Sequence, residues 1–274
     1  MPYVLEKFSL DGRTALVTGG AGLLGKQFTG ALGQAGAKVV VSDLDSSAAE
    51  KHVEELRHKG IQAMAVTVDV TNPESVSNMV EQAVSAFGSL DVLVNSAALD
   101  PKFDKKNDND QYDYSFENYP LESWKNALDV NLTGMFLACQ ASARQMLTQK
   151  AGVIINICSI YGVVGPDQRI YQRKDEENQY KPIYYSVTKA GVLGLTRYLA
   201  AYYAGSSIRV NALTPGGIYN DHDEQFLKAY SSKTVLGRMA NSDEMNGAIV
   251  FLASDASSYM TGANLIVDGG WTAW

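Results

Sequence analysis

Short apolar runs alternate with longer amphipathic stretches along most of the chain. The apolar runs, several of them rich in valine, predict seven buried strands: Arg13–Thr18, Lys38–Ser42, Gln62–Val68, Asp91–Asn95, Gly152–Cys158, Ser207–Leu213 and Asn264–Val267. The amphipathic stretches predict the helices Leu23–Ala35, Ser46–Lys59, Pro73–Phe87, Leu121–Gln149, Ile183–Ala204 and Ser242–Ala253. Strands that alternate with helices require crossover connections. The pattern therefore predicts one α/β domain over residues 1–274, with a doubly wound parallel sheet of about seven strands and helices on both faces.

Two polar stretches interrupt this alternation. Asp100–Pro120 carries six acidic and three basic residues, and Pro166–Pro182 carries four of each sign. Both follow the carboxyl ends of predicted strands, where open α/β sheets bind their ligands. Loops this long in a compact domain are usually functional or disordered. We expect them to cover a ligand site, with a pair of mobile surface insertions as the alternative.

Composition excludes several classes of protein. The 274 residues carry a net charge of −7, which argues against nucleic acid or an anionic membrane as the main partner and leaves a small molecule. No apolar run approaches the roughly 18 residues of a membrane-spanning helix, and Met1–Gly12 does not resemble a signal peptide. Two cysteines suit a reducing cytoplasm. Three scattered histidines predict no metal site.

A glycine-rich turn follows the first predicted strand. Thr18 is followed by Gly19, Gly20, Ala21, Gly22, Leu23, Leu24 and Gly25, and a helix then begins. Glycines let backbone N–H groups approach a pyrophosphate, and the helix directs its positive end at the anion. Such a turn is weak evidence alone, but the flanking strand and helix supply the context that the motif requires.

The second strand leads into Asp43, which lies 18 residues beyond Gly25. A carboxylate at this position accepts hydrogen bonds from the adenosine ribose and repels a 2′-phosphate, so the sequence favours NAD over NADP. The alternative is that Asp43 caps the next helix. Asp45 or Ser46 would be the more natural cap.

Tyr185 and Lys189 lie four residues apart in a predicted helix. This spacing puts both side chains on one face. The Lys189 ammonium should stabilise the phenolate and lower the pKa of Tyr185 from about 10 towards neutrality, which would make Tyr185 a general acid and base. A pair of solvated helical side chains is the alternative.

Taken together with further motifs, these residues resemble the short-chain dehydrogenase/reductase family. The further motifs occur in the family's order: Asp69-Val70, Asn95-Ser96-Ala97-Ala98, Asn131, Ser159, Pro215-Gly216-Gly217-Ile218 and Val267-Asp268-Gly269-Gly270. The resemblance spans about residues 8–271 and implies a Rossmann-type fold.

The resemblance implies a catalytic set and a set of cofactor contacts. Tyr185 would exchange a proton with the substrate oxygen, Ser159 would orient the substrate, and Asn131 would hold a water linked to Lys189. Lys189 would also bind the nicotinamide ribose. Asp69 and Val70 would flank the adenine, Asn95 would lie near its ribose, and Ile218 would contact the carboxamide. The remaining implied contacts are Gly19, Gly22, Leu23, Leu24, Gly25, Asp43, Ala97, Tyr185, Pro215 and Gly216. The family also implies a homotetramer, or failing that a dimer, paired through helices 121–149 and 183–204.

Three features depart from the family's short branch. Leu23 stands where a glycine is usual, Ser159 and Tyr185 are 26 residues apart, and Ala98 ends a motif that usually ends in glycine. The glycine spacing is more like that of the long branch, which includes epimerases and dehydratases. An NAD-dependent alcohol oxidoreductase remains the main interpretation. A sugar epimerase or dehydratase and a non-catalytic cofactor-binding sensor are the alternatives.

The insertions predict a polar substrate pocket. A sugar, sugar acid, polyol or sugar phosphate would suit such a pocket, because buried polar groups discriminate strongly between hydroxylated ligands. Candidate contacts are Arg169, Arg173, Lys174, Lys181, Tyr112 and Tyr114. The segment Gly217–Leu236 is the expected lid, in which Asn220 and His222 receive no role. Tyr184 is a poorer catalyst than Tyr185, Tyr161 could line the cleft or pack, and Cys158 is expected to be an inert core residue.

Overall fold

Seven parallel strands form one sheet in the order β3-β2-β1-β4-β5-β6-β7. The computed structural model describes residues 3–100, 115–172 and 179–274. The strands are β1 (Thr14–Thr18), β2 (Lys38–Asp43), β3 (Ala63–Thr67), β4 (Val92–Asn95), β5 (Gly152–Ile157), β6 (Ile208–Pro215) and β7 (Asn264–Val267). All seven predicted strands are present, with ends that differ by up to two residues. The predicted doubly wound Rossmann-type architecture is confirmed.

Helices cover both faces of the sheet. They are α1 (Leu23–Gln34), α2 (Ser46–His58), α3 (Pro73–Phe87), α4 (Leu121–Leu128), α5 (Gly134–Gln149), α6 (Ile183–Tyr202), α7 (Glu224–Ser231) and α8 (Asn246–Ala253). Side chains of β1 alternate between the faces. Ala15 and Val17 pack in the core beneath α1, α2 and α8, and Leu16 packs beneath α3, α5 and α6. None of the described helices is both long and apolar enough to cross a bilayer.

Two predicted helices are not uniform. The predicted helix Leu121–Gln149 contains a π-helical turn at Asp129–Thr133, between α4 and α5. The predicted helix Ser242–Ala253 begins as a 3-10 turn at Ser242–Met245 before α8. Hydrophobic periodicity reports which face is buried and does not distinguish one helical winding from another over a single turn.

The helix α7 and several short 3-10 helices were not predicted. Signals for α7 are present, because the Asp223 side chain caps Phe226 N at 2.8 Å and the buried Phe226 and Tyr230 are four residues apart. The 3-10 helices span Val4–Phe8, Ile160–Gly162, Gln168–Tyr171 and Asp255–Ser257. Each is too short to produce a periodic pattern.

A buried polar network joins β4, β5 and α6. Asn95 Nδ2 donates to Asn156 Oδ1 at 2.8 Å, and Asn156 Nδ2 donates to Thr196 Oγ1 at 3.0 Å. All three residues are 2% exposed or less. Each bond satisfies a group that could not reach water, so loss of one partner leaves the other unpaired.

Replacing Thr196 with valine is expected to lower the free energy of unfolding by about 1–3 kcal/mol, because the Asn156 amide would lose its acceptor inside the core. Urea denaturation would measure the change. Thr148→Val is the matched control. Thr148 is an exposed threonine on α5 whose hydroxyl donates to a carbonyl of its own helix at 3.1 Å. Its replacement should lower the free energy of unfolding by less than about 0.5 kcal/mol. Equal costs for both variants would contradict the role of the network.

Candidate active site

A cavity of about 660 Å³ opens at the carboxyl ends of the strands. It lies where the sheet order reverses between β1 and β4, the point at which doubly wound sheets bind ligands. Residues 166–172 and the segment around α7 stand over one end, and the glycine-rich turn forms the other. The wall of one cavity therefore contains both the predicted cofactor-binding residues and the predicted residues Ser159, Tyr185 and Lys189.

In the glycine-rich turn, backbone segments approach one another too closely to leave room for a side chain at Gly19 or Gly25. Gly19 has φ +64°, and a Cβ there would lie 2.8 Å from Ala97 Cα. A Cβ on Gly25 would overlap the Gly19 carbonyl oxygen. Gly22 precedes α1 as its N-cap, so the first N–H groups of α1 face the cavity that Leu23 and Leu24 line. The tight turn and the N–H groups at the start of α1 together form a surface that fits a dinucleotide pyrophosphate.

Asp43 lies between the turn and α2. Its carboxylate accepts from Ala21 N at 3.0 Å and from Asp45 N at 3.2 Å. The cap of α2 is Asp45, which accepts from Ala48 N at 3.0 Å, so the capping alternative for Asp43 is excluded. Asp69 and Val70 line the same end of the cavity.

Tyr185, Ser159 and Lys189 meet at the centre of the cavity. Tyr185 and Ser159 are hydrogen bonded, and the Ser159 hydroxyl also accepts from Tyr161 N at 3.2 Å. Lys189 Nζ donates to the Ile157 carbonyl at 2.9 Å and lies 5.6 Å from the Tyr185 ring centroid. Each of the three side chains is at least nine-tenths buried. This arrangement brings a phenol, a hydroxyl and an ammonium to one point.

The direction of the Tyr185 pKa differs from the sequence-based expectation. Burial, followed by the nearby Asp100 carboxylate, raises the pKa of Tyr185 well above 10, while the hydrogen bond with Ser159 lowers it. Burial lowers the pKa of Lys189. The expectation for Tyr185 was wrong because desolvation of the phenolate outweighs the hydrogen bond with Ser159, and desolvation cannot be read from an i, i+4 spacing.

Two implied site residues do not line the cavity. The Asn95 side chain donates to Asn156 and contacts Cys139 Sγ at 3.2 Å, so the side chain faces the core. The Asn131 side chain, in the π-helical turn, holds Leu99 by accepting from its N–H at 2.6 Å and donating to its carbonyl at 3.1 Å. All the other implied residues line the cavity: Gly19, Gly22, Leu23, Leu24, Gly25, Asp43, Asp69, Val70, Ala97, Ser159, Tyr185, Lys189, Pro215, Gly216 and Ile218.

Of the candidate substrate contacts, Lys181 lies in the cavity wall. Its ammonium pairs with Asp100 and stands 4.1 Å from the Tyr185 ring centroid. Arg169 is exposed and binds Asp167 instead, at 2.7 Å. Four other candidates, Arg173, Lys174, Tyr112 and Tyr114, lie outside the described residues.

The expected lid contains α7, which packs on the second insertion. Phe226 lies 5.5 Å from Tyr171 between ring centroids, and Lys233 pairs with Asp167 at 2.6 Å. Phe226 and Tyr230 line the cavity beside Asn220 and His222. Sequence reasoning missed these two aromatic residues, although the helical period of α7 could have found them.

The structure also locates Tyr184, Tyr161 and Cys158, the three other residues considered in the sequence analysis. Tyr184 contacts Tyr119, 6.1 Å away between ring centroids, and does not line the cavity. Tyr161 both packs and lines the cavity, accepting from the Tyr171 hydroxyl at 2.8 Å. Cys158 lines the cavity but is 2% exposed, and burial raises its pKa, so the thiol stays protonated.

Comparison with known proteins agrees with this geometry. Residues 21–272 match the family model described as Enoyl-(Acyl carrier protein) reductase. The chain is 34% identical over 271 residues to 5-keto-D-gluconate 5-reductase of Escherichia coli K12, with 97% of each chain covered. It is 36% identical over 268 residues to cis-4-hydroxycyclohexanecarboxylate dehydrogenase of Sinomonas cyclohexanicum, covering 95% of this chain and 97% of that one.

A similar solved structure is that of a gluconate 5-dehydrogenase from Burkholderia cenocepacia in complex with NADP and tartrate. It has a TM-score of 0.86 and 30% identity, and covers 99% of this chain and 100% of that one. The chain belongs to the short-chain dehydrogenase/reductase family. Membership makes it an oxidoreductase of the type that acts on CH–OH groups with a nicotinamide cofactor.

Proposed function

We propose that the protein interconverts a secondary alcohol and a ketone with NAD(H), on a polar, polyhydroxylated small molecule. The observation that carries this proposal is the meeting of Tyr185, Ser159 and Lys189 at one point of a cleft that fits a dinucleotide. The 5-keto-D-gluconate 5-reductase and gluconate 5-dehydrogenase among its relatives act, by their names, on hydroxylated acids.

The side chains divide the chemistry among them. Ser159 donates to the substrate oxygen and orients it towards Tyr185, whose hydroxyl gives a proton to that oxygen in reduction and whose phenolate accepts the proton from the substrate hydroxyl in oxidation. The Lys189 ammonium offsets the charge on the phenolate, and Asn131 positions α6 through a bond to Thr188 Oγ1 at 3.4 Å. A nicotinamide cofactor, when bound, supplies or accepts the hydride.

Charge at the adenosine end supports NAD over NADP. Asp43 and Asp69 line this end, and the described lining there contains no basic side chain. The 2′-phosphate of NADP would meet carboxylates with no cation to balance it. The Burkholderia relative binds NADP, so the preference proposed for this chain follows from its own residues.

The expected cofactor result is a kcat/KM for NAD at least about 10-fold above that for NADP, because like charges in contact cost several kcal/mol. Asp43→Asn should remove most of this ratio, mainly by improving NADP. Steady-state kinetics with both cofactors would measure it. Glu54→Gln is the matched control, since Glu54 is exposed on α2 and should leave the ratio unchanged. A wild-type preference for NADP would contradict the proposal.

Of the two alternative functions, one has support from the sequence. The spacing of Gly19, Gly22 and Gly25 favours an epimerase or dehydratase, which would convert its substrate with no net change in NADH. A non-catalytic sensor is disfavoured, because Tyr185 and Lys189 are both present. Turnover of hydroxylated substrates in preference to lipophilic alcohols, followed by NADH absorbance, would support the main proposal. Preference for a lipophilic alcohol would overturn its substrate class.

We further propose one domain over residues 1–274, a cytoplasmic location and a homotetramer, with a dimer as second choice. The two buried free cysteines suit a reducing compartment. Exposed Phe136 on α5 and Tyr198 and Tyr202 on α6 would be covered by pairing of these helices between subunits. Sedimentation as a monomer at micromolar concentration would reject both assemblies.

A further inference from the structure

An ion pair stands beside the ring of Tyr185. Lys181 Nζ lies 4.1 Å from the Tyr185 ring centroid, closer than Lys189 Nζ at 5.6 Å. Lys181 is 8% exposed and pairs with the Asp100 carboxylate, and both residues line the cavity. A ligand held at Tyr185 would therefore share its part of the cavity with this carboxylate and this ammonium.

Three parts of the chain hold this pair in place. Gln168 clamps the backbone of Lys181: its Nε2 donates to the Lys181 carbonyl at 3.1 Å, and its Oε1 accepts from Lys181 N at 2.8 Å. Pro182 then begins α6, which carries Tyr185, while Asp100 comes from the loop after β4. The Asp100 side chain remains 53% exposed, so its carboxylate is accessible while the lysine is buried.

The charges of the described lining favour an uncharged ligand. Away from the adenosine end, the lining contains two carboxylates, Asp100 and Asp223, and the two ammonium groups of Lys181 and Lys189, so the charges balance there. Asp100 already balances Lys181, so a substrate carboxylate or phosphate near Lys181 would face a like charge. A hydroxyl avoids this conflict because it can donate to the carboxylate and accept from the ammonium at once.

We infer that the Lys181–Asp100 pair is a specificity determinant that recognises the hydroxyl next to the reacting carbinol. The preferred substrates are then neutral polyols and the corresponding ketoses, in preference to sugar acids and sugar phosphates. The inference rests on the proposed function, since it names the substrate class of the same site. It does not follow from the names of the relatives, two of which indicate sugar acids.

The test compares three substrates in the oxidation direction: a hexitol, an aldonate of the same carbon number, and cyclohexanol, which has no neighbouring hydroxyl. Wild type should prefer the hexitol to the aldonate by about 10-fold or more in kcat/KM. Lys181→Met should lower kcat/KM for the hexitol by about 10- to 100-fold, mainly through KM, and change cyclohexanol by less than about 3-fold. Asp100→Asn should lower the ratio of hexitol to aldonate.

Lys125→Met is the matched control. Lys125 forms an exposed pair with Glu122 on α4, at 2.9 Å, and its replacement should leave all three substrates unchanged. NADH binding, followed by fluorescence, checks that each variant is folded. If Lys181→Met fails to fold, Asp100→Asn, at the half-exposed position, decides the question through the ratio of hexitol to aldonate.

Three results would overturn the inference. Equal losses for hexitol and cyclohexanol in Lys181→Met would mean that the pair only positions Tyr185. A wild-type preference for the aldonate that disappears in Lys181→Met would make Lys181 a carboxylate anchor. An unchanged substrate ratio in Asp100→Asn would exclude a role for the carboxylate. Failure of the proposed function is distinguishable, because the wild type would then form no NADH from any of the three alcohols.

Discussion

Replacing Tyr185 with phenylalanine is expected to lower kcat by about 10²- to 10⁴-fold, the usual contribution of a positioned acid or base. The variant keeps the ring against which Lys181 lies, 4.1 Å from its centroid, and removes only the hydroxyl that binds Ser159. The Kd for NADH should therefore stay within about 3-fold of wild type, which shows the loss to be one of chemistry rather than folding. Initial rates and fluorescence titration would measure the two quantities.

The neighbouring tyrosine provides the control. Tyr184 is similarly buried, at 6% against 9% exposed, but it packs against Tyr119 and does not line the cavity. Tyr184→Phe should therefore keep kcat within about 3-fold of wild type. If Tyr184→Phe were inactive and Tyr185→Phe active, the assignment of the acid and base would be contradicted.

Replacing Lys189 with methionine is expected to lower kcat/KM by about 10²- to 10³-fold, comparable to the loss of one preorganised electrostatic contact in an active site. Burial, with a smaller contribution from Lys181, lowers the pKa of Lys189 against the opposing effects of Cys158 and Asp100, whereas burial raises the pKa of Tyr185. As pH rises, Lys189 should therefore lose its proton first. In the reduction direction, the wild-type rate should fall as pH increases through this lowered pKa, at a pH below about 10.5.

The pH profile separates this role from a structural one. Lys189→Met should lack the alkaline fall because the group that titrates is gone, while a variant that only disturbed packing would keep it. Lys125→Met, on the exposed face of α4, should keep both the rate and the profile. A wild-type rate that remains flat above the ordinary lysine pKa would contradict the charge role of Lys189.

The strands were predictable because burial on both faces leaves nearly continuous apolar runs, as in the fully buried β1. The helices were predictable where one face is apolar over several turns, as in α3, which Asn72 caps and Gly88 ends with φ +89°. The π-helical turn at Asp129–Thr133 was not predictable, because one extra residue in a turn changes the direction of Asn131 without changing the composition.

The candidate site was predictable as far as its residues follow strand ends or a helix face. Tyr185 and Lys189 share a face of α6, and Ser159 follows β5, so topology alone brings them together. The partner of Lys181 could not be predicted, since Asp100 lies 81 residues away on another loop. The inward direction of Asn95 and the raised pKa of Tyr185 depend on packing around each group, which a linear pattern does not contain.

The proposed net oxidation is tested most directly by the amount of NADH formed per ketone formed when the wild-type protein acts on a polyol with NAD. We expect one NADH for each ketone, a much slower reaction with NADP, and a rate at least about 10²-fold lower in Tyr185→Phe. Conversion of the polyol or its ketose without accumulation of NADH would contradict a net oxidoreductase and favour an epimerase or dehydratase at the same site.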